Sequence, residues 1–216
     1  MSEPLPANLV AQTWKKQVPK PASVPAAADV VIIGGGIVGV STAWFLAKQG
    51  INVVLCEKGL IAGEQSGRNW GWVRQQLRDT REMPMIVESL RIWRGLEAEI
   101  GEDVGFREQG VMIAAHTDKE AEQFASWIRT SDQYGVETRL IEGDEVSRLI
   151  RGAAVEWKGV LHTPSDGRAE PHKAGPAIAR AAERHGATVL SGCAVRGVET
   201  EGGQVSAVVT EHGTIR

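Results

Sequence analysis

DVVIIGGGIVGVSTAWFLAKQGINVVLCEK, running from Asp29 to Lys58, is the stretch whose reading decides the fold. It opens on a short β-branched run, Asp29 to Ile33, and meets three adjacent glycines, Gly34, Gly35 and Gly36. Ile37 to Gln49 then reads as a helix stopped by Gly50, and Asn52 to Cys56 is a second apolar run. The eighteen residues from Val30 to Ala47 carry no charge, which is near the lower limit for a membrane-spanning helix. Each glycine costs a helix about 1 kcal/mol relative to alanine, so three in a row split the run into strand, turn and helix. The result is a βαβ unit. Both strands are continuous apolar segments without alternation, the pattern of parallel strands covered on both faces.

Inside this unit Gly34, Gly36 and Gly39 satisfy G-x-G-x-x-G. The spacing alone is a weak signal in a chain with 25 glycines, but here it follows a strand, opens a helix, and is followed by an acid, Glu57, eighteen positions after Gly39. Gly34 permits the tight turn, Gly36 lets the backbone approach a pyrophosphate, and Gly39 permits close packing of helix on strand. The helix start, Ile37 and Val38, offers free N–H groups and a partial positive charge to phosphates. Glu57, with Lys58 beside it, is placed to accept hydrogen bonds from an adenosine ribose, which argues against a 2′-phosphate and so against NADP. NAD and FAD both fit this pattern. The alternative is a glycine-rich turn that binds nothing.

The rest of the chain is consistent with an ordinary folded protein. At 216 residues it holds one large domain or two small ones against a prior of about 150 residues each. Hydrophobic residues are 42% and charged residues 24%, a globular composition. The formal charge of −3 lacks the basic excess of nucleic-acid binders, so no nucleic acid is expected. Two cysteines, Cys56 and Cys193, and five scattered histidines make neither a disulfide framework nor a metal-ligand spacing, so no metal is expected. The small-residue tract Ala26 to Ala28 precedes the apolar run instead of following it, which is the wrong order for a secretory signal. These features predict a cytoplasmic protein without a membrane span.

Residues 1–28 hold five prolines and read as an irregular arm in which only Leu9, Val10 and Trp14 are suited to dock. Residues 58–80 form a polar, glycine-bearing connection long enough to mark a functional loop. Ile86, Leu90, Trp93, Leu96 and Ile100 then share one helical face ahead of Gly101. Phe106 to Ala115 reads as a strand or hairpin arm. Thr117 with Glu120 is a capping box opening a helix through Tyr134. Glu137 to Ile141 and Val155 to His162 read as strands, with a short helix near Asp144 to Leu149. Pro171 to His185 is helical, and Thr188 to Leu190, Ala194 to Thr200 and Gln204 to Thr210 are strands, the last two joined at Gly202 and Gly203.

The segment 29–58, together with QSGRNWGWVR from Gln65 and DGRAEPHKAGPAIARAAERHGATVL from Asp166, resembles the FAD-dependent oxidoreductase family of D-amino-acid, glycine and sarcosine oxidases and dehydrogenases. The resemblance covers nearly all of the chain after residue 28. It implies an α/β fold with a Rossmann-like FAD-binding βαβ unit and parallel sheet in 29–80 and 165–216, and part of an α+β substrate domain in 81–164. It also implies FAD as cofactor, with Ser66, Arg68, Asn69 and Gly71 along the pyrophosphate and ribityl chain and Val195 on a strand whose backbone reaches the adenine. Trp70 and Trp72 are candidates to wall the flavin ring or the substrate. Arg74 is the candidate catalytic-site residue, anchoring a substrate carboxylate through its planar fork of donors, although Arg78 and Arg81 are of the same type.

The reaction so implied is oxidation of the C–N bond of an amino acid or related amine by hydride transfer to flavin, which needs no paired carboxylates or activated nucleophile. Relatives of this kind continue well past residue 216, so the C-terminal half of the fold is expected to be missing, leaving a sheet edge open to a partner chain or to self-association. Two alternatives follow: a non-catalytic dinucleotide-binding fragment or subunit needing a partner, and a NAD-dependent dehydrogenase.

Overall fold

The computed structural model describes Pro21, residues 23–152, Val155 and residues 157–216. Leu9, Val10 and Trp14 lie outside the described residues. In chain order, β1 (Val30–Ile33), α1 (Ile37–Ala47) and β2 (Val53–Cys56) follow one another where the glycine turn and Gly50 divide the apolar run. A 3₁₀ turn over Gln65–Gly67 and β3 (Trp72–Val73) interrupt the polar connection. α2 (Met83–Ile100) carries Pro84 in its first turn, where the missing N–H is not needed, and ends at Gly101 in the left-handed region with φ 68°. β4 (Arg107–Glu108) and β5 (Val111–Ala115) replace the single arm expected over 106–115. α3 (Asp118–Asp132) opens on the expected capping box, with the Glu120 carboxylate accepting from Thr117 N at 3.0 Å. β6 (Arg139–Ile141), α4 (Asp144–Leu149), β7 (Gly159–Thr163) and β8 (Gly167–Arg168) follow. The chain closes with α5 (Pro171–Arg184), β9 (Thr188–Leu190), β10 (Val195–Glu201), β11 (Gln204–Thr210) and β12 (Gly213–Ile215).

The described chain forms two compact units, one of residues up to Arg68 together with Pro171–Arg216, the other Asn69–Glu170. The division between the units thus falls after Arg68 and before Pro171. Residues 69–80 and 165–170 stay together because they pair with one another: Trp72 lies opposite Arg168, Val73 opposite Gly167, and Ala169 N donates to the Gly71 carbonyl at 2.8 Å.

In the first unit β1, β2 and β9 make a parallel sheet in that order, with Val30 opposite Val53 and Cys56 opposite Leu190. Val53, Val54 and Leu55 are fully buried, each burial contributing about 1.5–3 kcal/mol. The expected cover on both faces holds for β2 and fails for β1, where Ile33 is 58% exposed. The cause is strand order: among the described residues β1 pairs only with β2 and lies at the sheet edge. α1 buries Val40, Ala43, Trp44 and Ala47, while Val38 is 77% exposed. β10, β11 and β12 form a second, antiparallel sheet. The end of the proline-rich segment forms no helix or strand but is tied down: Ala28 N donates to Arg216 O at 2.7 Å and Arg216 N to Ala26 O at 3.0 Å. Val24 and Ala28 then pack beside Cys56, Cys193 and Ile215.

The second unit is built from two antiparallel sheets, β3-β8-β4 and β5-β7-β6, and a core of Met83, Phe124, Trp127, Val136 and Leu161. A buried polar cluster ties its loops to its strands. Asp166, wholly buried, accepts from Gln75 N at 2.7 Å and from Gln76 N at 3.0 Å. Gln76, also wholly buried, donates its amide to Thr163 Oγ1 at 2.9 Å. Burial pushes the Asp166 carboxyl above the ordinary aspartate range, with the Gln75 and Gln76 N–H groups pulling it partly back. Replacement Asp166→Ala leaves two buried N–H groups without an acceptor, and a loss of about 2–4 kcal/mol is expected in urea unfolding. Because the folded-state pKa lies above the unfolded one, ionised Asp166 disfavours the folded state. Wild-type stability relative to Asp166→Asn therefore falls as pH rises through the folded-state pKa, which the same unfolding series at several pH values measures.

Candidate nucleotide-binding site

Gly34 N donates to the Cys56 carbonyl at 2.8 Å, one step beyond the β1–β2 ladder, and the chain then turns with Gly34 at φ 107°. Gly36 is the N-cap of α1 in extended conformation, with no side-chain cap and no acid in the first turn. The N–H groups of Ile37, Val38 and Gly39 have no partner within the helix. That of Ile37 is met by Ser66 Oγ at 2.9 Å. A Cβ on Gly36 would press on the same Ser66 Oγ, and a Cβ on Gly39 would overlap the Gly34 carbonyl oxygen. The role expected of Gly39 is thus carried by its contact with the turn as well as with Ile32 of β1.

Glu57 is held from both sides. Its Oε2 accepts from Gly35 N at 2.7 Å and its Oε1 from Gly59 N at 2.6 Å. An ionised carboxylate has about four acceptor positions, so two remain for the hydroxyls of a ligand. Cys193 N donates to the Glu57 carbonyl at 2.8 Å and Gly192 N to that of Gly59 at 3.1 Å. These two bonds bring the start of β10 alongside the Glu57–Gly59 turn. A cavity of about 470 Å³ results, lined by Gly34, Gly36, Glu57, Lys58, Ser66 and Val195 from the expected set. Gln65, Ala194 and Arg196 line it as well; nothing in their residue types or spacing marks them. At its wall Lys58 and Glu64 pair at 2.9 Å, an exposed contact that raises the lysine pKa and lowers that of the acid.

A family model described as FAD dependent oxidoreductase matches residues 29–216. The chain belongs to the FAD dependent oxidoreductase family. Sarcosine oxidase subunit beta of Rhodobacter capsulatus is 31% identical over 194 residues, 87% of this chain and 47% of that protein. The structure of L-amino acid deaminase from Proteus myxofaciens in complex with anthranilate is 37% identical with a TM-score of 0.86, over 91% of this chain and 45% of that one. L-proline dehydrogenase from P. horikoshii is 31% identical with a TM-score of 0.84, over 89% of this chain and 51% of that one. The chain spans about half the length of these relatives.

The cavity suits the family's cofactor. A dinucleotide needs a phosphate site and a ribose acceptor; the N-terminus of α1, the glycine backbone at 34–36 and the oriented Glu57 carboxylate are groups of the types these require. Arg68 is exposed at the end of the first unit, close enough to help lower the Glu64 pKa. Asn69 and Gly71 belong to the second unit, where Gly71 N donates to Asn69 Oδ1 at 2.7 Å. There Trp70 and Trp72 meet edge to face at 5.4 Å, and the Arg74 guanidinium lies 5.6 Å from the Trp72 ring centre while donating to the Gln76 carbonyl. Burial lowers the Arg74 pKa. Arg78 pairs with Glu82 and Arg81 with Asp79, whereas Arg74 has no carboxylate ion pair among the described residues.

Replacement Gly39→Ala drives a methyl into backbone that has nowhere to move. A loss of several kcal/mol is expected in urea unfolding. Gly95→Ala, in the exposed interior of α2 with open space around it, instead gains up to about 1 kcal/mol.

Proposed function

We propose that the protein is an FAD-dependent oxidoreductase of amino acids or related amines, binding the cofactor by its ADP half in the first unit. The observation that carries this reading is the Glu57 carboxylate, fixed between Gly35 N and Gly59 N in the same cavity as the uncapped start of α1. When bound, FAD supplies the hydride acceptor for the carbon beside the amine nitrogen. The chain's own groups bind and orient: the first-turn N–H groups of α1 meet the pyrophosphate, Glu57 accepts from the adenosine ribose, and Ser66 and Arg68 take further polar positions along the cofactor, with Val195 beside the adenine. Asn69 and Gly71 contribute from the loop that follows. Arg74 anchors the substrate carboxylate; unlike Arg78 and Arg81, it makes no ion pair with a carboxylate among the described residues. Two free buried cysteines support a reducing compartment, the cytoplasm. Among the described residues no helix is long and apolar enough to cross a membrane.

A second reading rests on a separate observation. The exposed edge at β1 and an apolar groove along α1, lined by Ile37, Val38, Phe45 and Leu46, support a subunit that binds the dinucleotide but turns over only with further polypeptide covering that face. The exposed Val38 favours it.

The test is a visible spectrum of the purified chain followed by anaerobic addition of an amino-acid panel. Flavin absorbance that one amine bleaches is the expected result, and a colourless protein that takes up no FAD contradicts the proposal. Calorimetry with ADP checks the ribose site: its 2′-phosphorylated analogue is expected to bind at least about tenfold more weakly, roughly 1.4 kcal/mol, because the added phosphate meets the Glu57 carboxylate. Equal affinity would count against Glu57 as the ribose acceptor.

A further inference from the structure

Cys56 ends β2 and Cys193 precedes β10, yet both lie in one buried cluster with Val54 and Ile215. The bond from Cys193 N to the Glu57 carbonyl, 2.8 Å long, draws the two residues together, and Cys193 is close enough to help raise the Cys56 pKa. Both cysteines are free. Cys56 also lines the cavity that holds Glu57 and the start of α1. One residue of a buried pair therefore borders a solvent-connected space. We propose that Cys56 and Cys193 are a reversible dithiol–disulfide site, reached through the nucleotide cavity and shielded when nucleotide fills it; the shielding rests on the nucleotide reading above.

The oxidant is a peroxide. The Cys56 sulfur attacks the peroxide O–O bond, which breaks to give a sulfenic acid and one water; the Cys193 sulfur then attacks that sulfur, the S–O bond breaks, and a second water leaves. Two electrons pass from the two thiols to the peroxide, and the two thiol protons leave in the waters. A low-mass dithiol restores the pair by exchange. Burial, reinforced by Cys193, pushes the Cys56 thiol up to about 12, so the dithiol is the resting form and its oxidation is slow. The site lies directly behind Glu57, whose backbone accepts the Cys193 N–H, which places the thiol pair next to the ribose acceptor.

The experiment treats the full chain, freed of nucleotide, with hydrogen peroxide and follows it by mass spectrometry of non-reduced peptides, with circular dichroism to verify that the fold is kept. The expected result is a peptide pair joined through Cys56 and Cys193 with the loss of two hydrogens, reversed by dithiothreitol and absent from Cys56→Ser and Cys193→Ser. Thiols that stay reduced, or that oxidise singly to sulfinic acid while the fold persists, overturn the proposal. Saturating ADP, its occupancy verified by calorimetry, is expected to slow linkage at least about fivefold, and equal rates with the site filled overturn entry through the cavity. If calorimetry shows no ADP binding, the nucleotide reading fails, while linkage in the free chain still decides the thiol pair.

Discussion

The contact between the Gly34 carbonyl and Gly39 sets where α1 can lie. A side chain at 39 would overlap that oxygen, so the helix would have to lift away from the turn, taking its first N–H groups with it. With glycine there, α1 packs down beside β1 and buries Trp44, Ala43 and Val40. The N-terminus then opens onto the cavity floor, close enough for Ser66 Oγ to meet Ile37 N. One missing methyl group thus links packing of the first unit to the position of the α1 N-terminus.

Glu57 ties the same region together from the other side. Its side chain bridges Gly35 and Gly59, and its carbonyl accepts from Cys193, so the glycine turn, the end of β2 and the approach to β10 share one residue. A carboxylate fixed by two backbone donors is preorganised: its orientation costs nothing further when a hydroxyl arrives. The negative charge it carries is offset locally by those N–H dipoles and by the positive end of α1. The fold thus engages one acceptor position on each Glu57 oxygen and leaves the others for the hydroxyls of the proposed ligand.

The parts of this arrangement that are local in sequence were the legible ones. Strand, glycine turn, helix and acid lie within thirty residues, and the capping box at Thr117 and the stop at Gly101 each declare themselves through a few neighbouring positions. Contacts across long separations were not. Nothing around Cys56 or Cys193 marks them as neighbours, because their meeting depends on β9 pairing with β2. Gln75, Gln76 and Asp166 read as polar loop residues, and their burial arises from hydrogen bonds across some ninety positions. Two-residue strands such as β3, β4 and β8 carry no periodicity to detect. An open sheet edge is expected from the sequence, but not that β1 forms it: an apolar run reports that a strand is suited to burial, while strand order decides whether it is buried.

The central question is whether a dinucleotide's ADP half sits between the start of α1 and Glu57. The most direct measurement is a backbone amide NMR titration of the labelled chain with ADP. The account predicts the largest shift changes at Gly34 to Gly39, at Glu57 to Gly59 and around Val195, with little change in residues 107–163. Saturable binding whose shifts fall on other residues, or no shifts at all in a folded chain, would contradict it.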